Sequence, residues 1–371
     1  MKYYLIAGEA SGDLHGSNLM KELKIRDPNS IFRFYGGDLM EKQGGKLVKH
    51  YREMAFMGFI DVVVNIRTIK RNMEICKQDI IKFAPDALIL IDYPGFNLRM
   101  AEYAFKNNIK TFYYIAPKVW ASRESRVEQI RKFVHKLFVI FPFEVDYFKQ
   151  KGIEAEYAGN PLMDSLSDFK RKNTDPDKFL NEISADNKPV IALLAGSRKY
   201  EISRCLPEMV KAASSFPGYK FVVAGISSIQ PELYNEILKD TDINIVYDRT
   251  YELLNVAYAA VVTSGTATLE TALFKVPQVV IYKIGRLTYH IGMMFVNIRF
   301  FSLVNIIVNR ELVKELLQFN LASDIKKELN NILFDNIYRE KIISGYEEII
   351  LKLGTGGSSK RIANRICDSI L

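Results

Sequence analysis

Short runs of continuously apolar residues alternate with amphipathic segments of helical period, and this pattern occurs twice in a chain of 371 residues. A strand that is apolar at every position has both faces covered, which places it in a parallel sheet between two layers of helices. The first half offers strands at 2–8, 32–36, 86–92, 110–116, 136–141 and 154–158, with helical segments at 68–83, 96–107, 122–133 and 143–151. From Asp164 to Lys188 the pattern lapses into Asp, Asn, Lys, Ser and Pro176, the composition of a linker. Strands then resume at 189–195, 219–224, 243–247, 259–263 and 278–282, separated by helical segments at 200–215, 231–239, 250–258 and 266–274. The pattern predicts an α/β protein of two doubly wound, Rossmann-like domains, 1–163 and 189–340, joined by 164–188. Residues 311–371 read as helices, with a flexible break at Gly354-Thr-Gly-Gly-Ser-Ser359 before the last.

Composition narrows the function classes. The 48% hydrophobic and 25% charged content is that of a soluble globular protein. The chain enters a strand at once, without secretory-signal features, and no apolar run reaches the ~18 residues needed to span a bilayer, so a cytoplasmic protein is expected. Cys76, Cys205 and Cys367 are too scattered for a disulfide framework or a zinc site, and read as buried small hydrophobes. The four histidines lack ligand spacing, so no metal is expected. A net charge of +8 suits an anionic partner: nucleic acid, an acidic membrane surface or a phosphorylated small molecule. No nucleic-acid-binding module accompanies the basic residues, so nucleic acid is not expected.

Ligands of such sheets bind outside the carboxyl ends of strands, which directs attention to four segments. The first is the turn after strand 2–8, Gly8-Glu-Ala-Ser-Gly-Asp13-Leu-His-Gly16. Glu9 and Asp13 would put anionic oxygens where a pyrophosphate should sit, so Glu9, Ser11, Gly12 and Asp13 read as an acceptor-side loop for sugar hydroxyls. Whether Glu9 and Asp13 touch substrate or brace the turn stays open, and His15 is given no catalytic role. The second is Asp92-Tyr-Pro-Gly-Phe-Asn97, where a carboxylate at the exit of a buried strand is desolvated and becomes a stronger base. A helix-capping Asp is the plainer reading.

The third and fourth lie in the second half. Ser264-Gly-Thr-Ala-Thr-Leu-Glu270 follows a strand and opens a helix, so its N–H groups and the hydroxyls of Ser264 and Thr266 suit a pyrophosphate, with Glu270 placed for a ribose. Gly196-Ser-Arg198 ends another strand, and the Arg198 fork suits phosphate oxygens. The alternatives are an ordinary N-cap and an Arg198–Glu201 pair. Apolar stretches beside cations, Phe56–Val64 with Arg67, Lys70 and Arg71, and Met293–Phe301 with Arg286 and Arg299, suit a bilayer surface or acyl chains, or else core packing.

Taken in order, these segments resemble the lipid-A-disaccharide synthase family. The resemblance runs through Ala7-Gly-Glu-Ala-Ser-Gly-Asp13, Gly36-Gly37 with Met40, Met57-Gly-Phe59 and Asp92-Tyr-Pro-Gly-Phe-Asn97. It continues in Tyr114-Ile-Ala-Pro-Lys-Val-Trp-Ala121, Pro142-Phe-Glu144, Gly159-Asn-Pro-Leu162, Gly196-Ser-Arg198, Ser264–Glu270, and Ser302-Leu-Val-Asn-Ile306 followed by Arg310–Leu317. Ala195, Ser122 and Asn160 stand where the family usually has Pro, Trp and His. The resemblance implies a GT-B fold with a cleft between its domains and with helices of 341–371 returning to the first. It implies an inverting transfer from UDP-2,3-diacylglucosamine to the 6-hydroxyl of 2,3-diacylglucosamine 1-phosphate, giving a β-1,6 disaccharide 1-phosphate and UDP. In that reading Asp92 is the base, and Arg198, Gly196, Ser197, Ser264, Gly265, Thr266 and Asn305 hold the diphosphate. Glu270 holds the ribose, no cofactor or metal takes part, and the protein sits at the inner membrane surface. The oligomeric state is left open, a homodimer included. The rival readings are another GT-B enzyme, a UDP-N-acetylglucosamine transferase or epimerase, and a nucleotide-binding regulatory module without catalysis. A dinucleotide oxidoreductase is disfavoured, because no Gly-x-Gly-x-x-Gly follows a strand.

Overall fold

The computed structural model describes residues 1–54, 65–121, 124–172, 174–283 and 299–370. Its residues fall into two compact units, Met1–Asp164 with Thr355–Leu371, and Ser165–Gly354. The first holds a seven-stranded, all-parallel sheet in the order β3-β2-β1-β4-β5-β6-β7. These strands are β1 (Lys2–Ala7), β2 (Ile31–Gly36), β3 (Lys46–His50), β4 (Ala87–Ile91), β5 (Lys110–Tyr114), β6 (Lys136–Val139) and β7 (Ala155–Tyr157). β1 and β4 are buried almost throughout because each face meets its own core. Tyr4 and Ile6 pack with Leu88 and Leu90 on one side, and Tyr3, Leu5 and Ala7 with Ile89 and Ile91 on the other.

Helix Ser358–Ile370 completes that second face. Its Ile362, Ala363, Ile366 and Cys367 pack in the same core as Leu19, Met20 and Leu23 of helix Ala10–Arg26. Each buried isoleucine contributes roughly 1.5–3 kcal/mol. The start of this helix is held by Asp164, which accepts from the Gly357 amide and, at 2.7 Å, from the Ser358 hydroxyl. The segment that joins the first unit begins at Thr355, later than the expected 341, since helix Asn336–Leu353 lies within the second unit.

The second unit holds a six-stranded parallel sheet in the order β10-β9-β8-β11-β12-β13. Its strands are β8 (Val190–Leu194), β9 (Lys220–Gly225), β10 (Asn244–Tyr247), β11 (Ala257–Thr263), β12 (Gln278–Tyr282) and β13 (Glu315–Leu317). The expected linker is largely helical instead, with helices Pro161–Arg171 and Pro176–Glu182. Asp175 caps the second helix, and Phe179, Ile183 and Ala185 pack against Val190, Ala192 and Leu194. Its polar composition describes the outer faces of this segment; a few apolar side chains anchor it.

Two strands escaped the sequence reading. β3 (Lys-Leu-Val-Lys-His) is half polar because it is an edge strand, and β13 lies inside a stretch that reads as helical but pairs Glu315 with Val280. Cys76, Cys205 and Cys367 are buried free thiols, as expected. Among the described residues, no helix is long and apolar enough to cross a membrane.

Candidate active site

In each sheet the strand order reverses direction between two neighbours, and an open α/β sheet holds its ligand at such a switch point. In the first sheet the switch lies between β1 and β4, where Ala7 pairs with Ile91. The segments leaving these strands carry Glu9 and Asp92. Tyr93 lies against Gly8, where a Cβ would come 2.3 Å from the ring, so only glycine permits this approach.

Asp92 and Tyr93 both adopt the left-handed region, with φ of 44° and 48°. Two consecutive non-glycine residues in that region are strained, and such strain persists only where the surroundings over-determine it. Here the Asp92 carbonyl accepts from Asn97 Nδ2 and from the Tyr113 hydroxyl, both at 2.7 Å, and its amide donates to Tyr114 O. The Tyr93 hydroxyl donates to Met54 O at 2.9 Å. The backbone is therefore clamped, and the carboxylate caps no helix: no side-chain cap is made at the start of helix Pro94–Lys106. Burial raises the Asp92 pKa above the ordinary carboxylate range, opposed by Lys118 and by a hydrogen bond from the Tyr93 amide. Lys118, exposed in the loop after β5, is a component of this site that the sequence reading passed over. That loop starts from Ile115, a β-branched residue also held at positive φ, 62°.

The acid-rich turn is rearranged from its expected form. Helix Ala10–Arg26 begins inside it, so Ser11, Gly12 and Asp13 are helical and only Glu9 stands before the first turn. Asp13 is buried, and its carboxylate accepts from the amides of Gly37, Leu39 and Met40 at 2.7–3.0 Å. With three donors satisfied it braces the turn after β2 and takes no part in an acceptor loop. Gly12 is closely packed, as a Cβ there would lie 3.1 Å from Ala7 Cβ. Ser11 is exposed and Glu9 half-exposed at the strand end. His15 is half-buried and its pKa is lowered to about 4, chiefly by desolvation, which keeps it neutral.

In the second sheet the switch lies between β8 and β11, where Leu194 pairs with Val262. The two phosphate-suited turns are thereby brought together: Gly196–Arg198 leaves β8, and Ser264–Thr266 leaves β11. Helix Thr266–Leu273 starts with no side-chain cap, so its first amides are available to an anion. Glu270 Oε1 accepts from the Tyr251 hydroxyl at 2.9 Å, Oε2 accepts nothing among the described residues, and burial raises its pKa. The Ser264 hydroxyl donates to Phe301 O at 2.9 Å. At Gly196 (φ 107°) a Cβ would lie 2.5 Å from Glu201 Oε2. Glu201 itself accepts from the Ser197 amide at 2.9 Å, the Arg198 amide at 3.3 Å and Arg198 Nη1 at 3.1 Å. The Arg198–Glu201 pair is thus formed, and an internal carboxylate occupies this turn's donors.

Asn305 departs from its expected role. Fully buried, it donates to Val313 O (2.9 Å) and Glu315 Oε1 (2.8 Å) and accepts from the amides of Leu312 (2.8 Å) and Val313 (3.0 Å). All of its polar capacity goes into holding the 312–315 turn, leaving none for a diphosphate. Phe56–Val64 and 293–298 with Arg286 lie outside the described residues. A polar cavity of about 840 Å³, lined in part by Ser184, Lys188, Tyr258 and Arg339, opens at the other ends of β8 and β11 and contains none of these residues.

A model of the family described as lipid-A-disaccharide synthetase matches residues 3–361. The chain belongs to the lipid-A-disaccharide synthase family. It is 35% identical to the lipid-A-disaccharide synthase of Geobacter sulfurreducens, over 99% of this chain and 96% of that one. It is 34% identical to the enzyme of that name from Coxiella burnetii, over 98% and 96%. Among solved structures it resembles the UDP-GlcNAc 2-epimerase of Neisseria meningitidis bound to UDP-GlcNAc (TM-score 0.70, 15% identity, 99% of this chain and 100% of that one). It also resembles the calicheamicin glycosyltransferase CalG4 (TM-score 0.61, 14% identity, 100% and 98%). At such identities these likenesses establish the fold, which is GT-B-like, while the family places the chain among glycosyltransferases of lipid A synthesis.

Proposed function

We propose that the chain transfers 2,3-diacylglucosamine from UDP to the 6-hydroxyl of 2,3-diacylglucosamine 1-phosphate, with inversion, forming the β-1,6 disaccharide 1-phosphate and UDP. The observation that carries this reading is Asp92: a half-buried, partly desolvated carboxylate on a doubly strained, clamped backbone at the switch point of the first sheet. Desolvation makes it a better proton acceptor, and it takes the acceptor hydroxyl proton as the oxygen bonds to the anomeric carbon. The anomeric carbon–oxygen bond breaks with its electron pair going to UDP. Arg198, released from Glu201 by the entering diphosphate, and the uncapped start of helix Thr266–Leu273 offset that charge. Glu270, held on one oxygen by Tyr251, keeps the other for the ribose hydroxyls.

Docking at an anionic membrane surface belongs to this reading. Ile66, Arg67, Lys70 and Arg71 are exposed at the start of helix Ile66–Phe83, and Arg299 stacks on Phe300 at 5.0 Å. The test is a product assay with both purified diacyl substrates, with and without chelator. Disaccharide phosphate and UDP in equal amounts, insensitive to chelator, are expected. No disaccharide, or turnover of a non-acylated UDP-sugar alone, overturns the assignment, and chelator-sensitive turnover overturns the metal-free mechanism.

A further inference from the structure

Trp120 is the single tryptophan of the chain, and the core does not use it. The loop after β5 contributes Ala116 and Val119 to the buried cluster on that face, while Trp120 stays half-buried beside it. It is nonetheless held firmly. Its indole Nε1–H donates to Glu144 Oε1 at 2.9 Å, and its ring stands edge-on to Phe143 at 5.2 Å between centroids. Glu144 is 1% exposed. Its second oxygen accepts from the amides of Ile140 and Phe141 at 3.1 and 3.0 Å. Burying a carboxylate is costly; Glu144 spends one oxygen on capping the start of helix Pro142–Gln150, and the other is left to fix the indole. A buried acid that fixes the orientation of an indole left outside the core indicates a binding surface.

The position of the loop names the ligand. β5 is the neighbour of β4 and pairs Tyr114 with Ile91, so the loop leaves the sheet one strand from Asp92. Lys118, two residues before Trp120, acts electrostatically on both Asp92 and Glu144. An amphipathic aromatic plate at the same end of the sheet as a general base, in the loop of the neighbouring strand, suits a pyranose ring, whose apolar C–H face packs on an aromatic ring while its hydroxyls stay free. We propose that Trp120 is the platform on which the acceptor's glucosamine ring lies, and that Glu144 is the positioning residue that orients it. This rests on the acceptor assignment made above.

Because Trp120 is the only tryptophan, its emission reports on this surface alone. Titrating the full chain with 2,3-diacylglucosamine 1-phosphate in detergent micelles is expected to quench that emission saturably, and glucosamine 1-phosphate to do so more weakly. Micelles alone and UDP alone are expected to leave it unchanged. Trp120→Ala is expected to raise the acceptor KM by roughly ten-fold, the size of one good aromatic contact, with kcat and donor KM little changed. Trp120→Phe restores most of that loss, and Glu144→Gln falls between. An unchanged acceptor KM in folded Trp120→Ala, a loss in kcat alone, or equal quenching by empty micelles overturns the platform while disaccharide synthesis by the unmodified chain still stands. Failure of the unmodified chain to form disaccharide strikes the enzymatic reading instead.

Discussion

Asn305 separates a structural role from a binding role, and the structure sets the size of the effect. Replacing it by Ala removes the acceptor for the Leu312 and Val313 amides and the donor to the Val313 carbonyl, and takes one donor from Glu315. Each buried polar backbone group left unpaired costs about 1–3 kcal/mol. Glu315 retains the amides of Phe301 and Ser302 and the Ser302 hydroxyl, so its own loss is small. With some relaxation around the turn, the sum is about 3–5 kcal/mol. For a unit of this size, 1 kcal/mol moves the melting temperature by about 2–4 °C, so a fall of roughly 10 °C is expected. Thermal unfolding followed by circular dichroism measures it, with calorimetric titration of UDP on the folded variant below its transition. The expected result is a large loss of stability with UDP affinity nearly kept. An unchanged melting temperature with UDP affinity lost refutes the structural role and restores the diphosphate contact.

Asp92→Asn should lower kcat by roughly a hundred- to ten-thousand-fold, the range for loss of a general base, with UDP binding unchanged by calorimetry. Since burial raises the Asp92 pKa and the base acts ionised, kcat/KM should fall on the acid side at a pH above that of an exposed carboxylate. Asp13→Ala should destabilise the first unit by about 3 kcal/mol, because three amides lose their acceptor, while acceptor KM measured on the folded enzyme stays put. Glu270→Gln should weaken UDP binding and abolish the preference for UDP over its 2′-deoxy analogue; an intact preference removes the ribose role. Burial pushes Glu144 up to about 7 from 4.5, so the folded chain binds more protons between those values and loses stability as pH rises through them. The loss is about 3 kcal/mol at most, and Glu144→Gln should flatten that limb of the denaturation-midpoint profile.

Much of the candidate site was legible because its residues sit where strands end. Asp92, Arg198 and Ser264–Thr266 each follow an apolar run at a turn, and the switch points of both sheets lie at those turns. Asp13 and Asn305 misled for a shared reason: a polar residue near a strand end is indistinguishable, in one dimension, from a polar residue spent on a neighbouring turn. Asp13 is committed to amides more than twenty residues away, and Asn305 to amides seven and eight residues on. Lys118 and Glu144 carried no visible electrostatic signal, since their effects arise between segments that meet only across β4, β5 and β6.

The sequence alone determined the fold class and the family, because burial of both faces of a parallel sheet writes continuous apolar runs into the chain, and because the turns at strand ends admit few residue types. Tertiary structure decided which polar groups remain for chemistry. Hydrogen-bonding capacity is consumed by whatever lies nearest in space, and that accounting leaves Asp92, Glu270 and the uncapped start of helix Thr266–Leu273 available while it assigns Asp13 and Asn305 to the framework. It also decided the direction in which Asp92, Glu144 and His15 titrate away from their ordinary values, upward for the two acids and downward for the imidazole, because desolvation is set by packing.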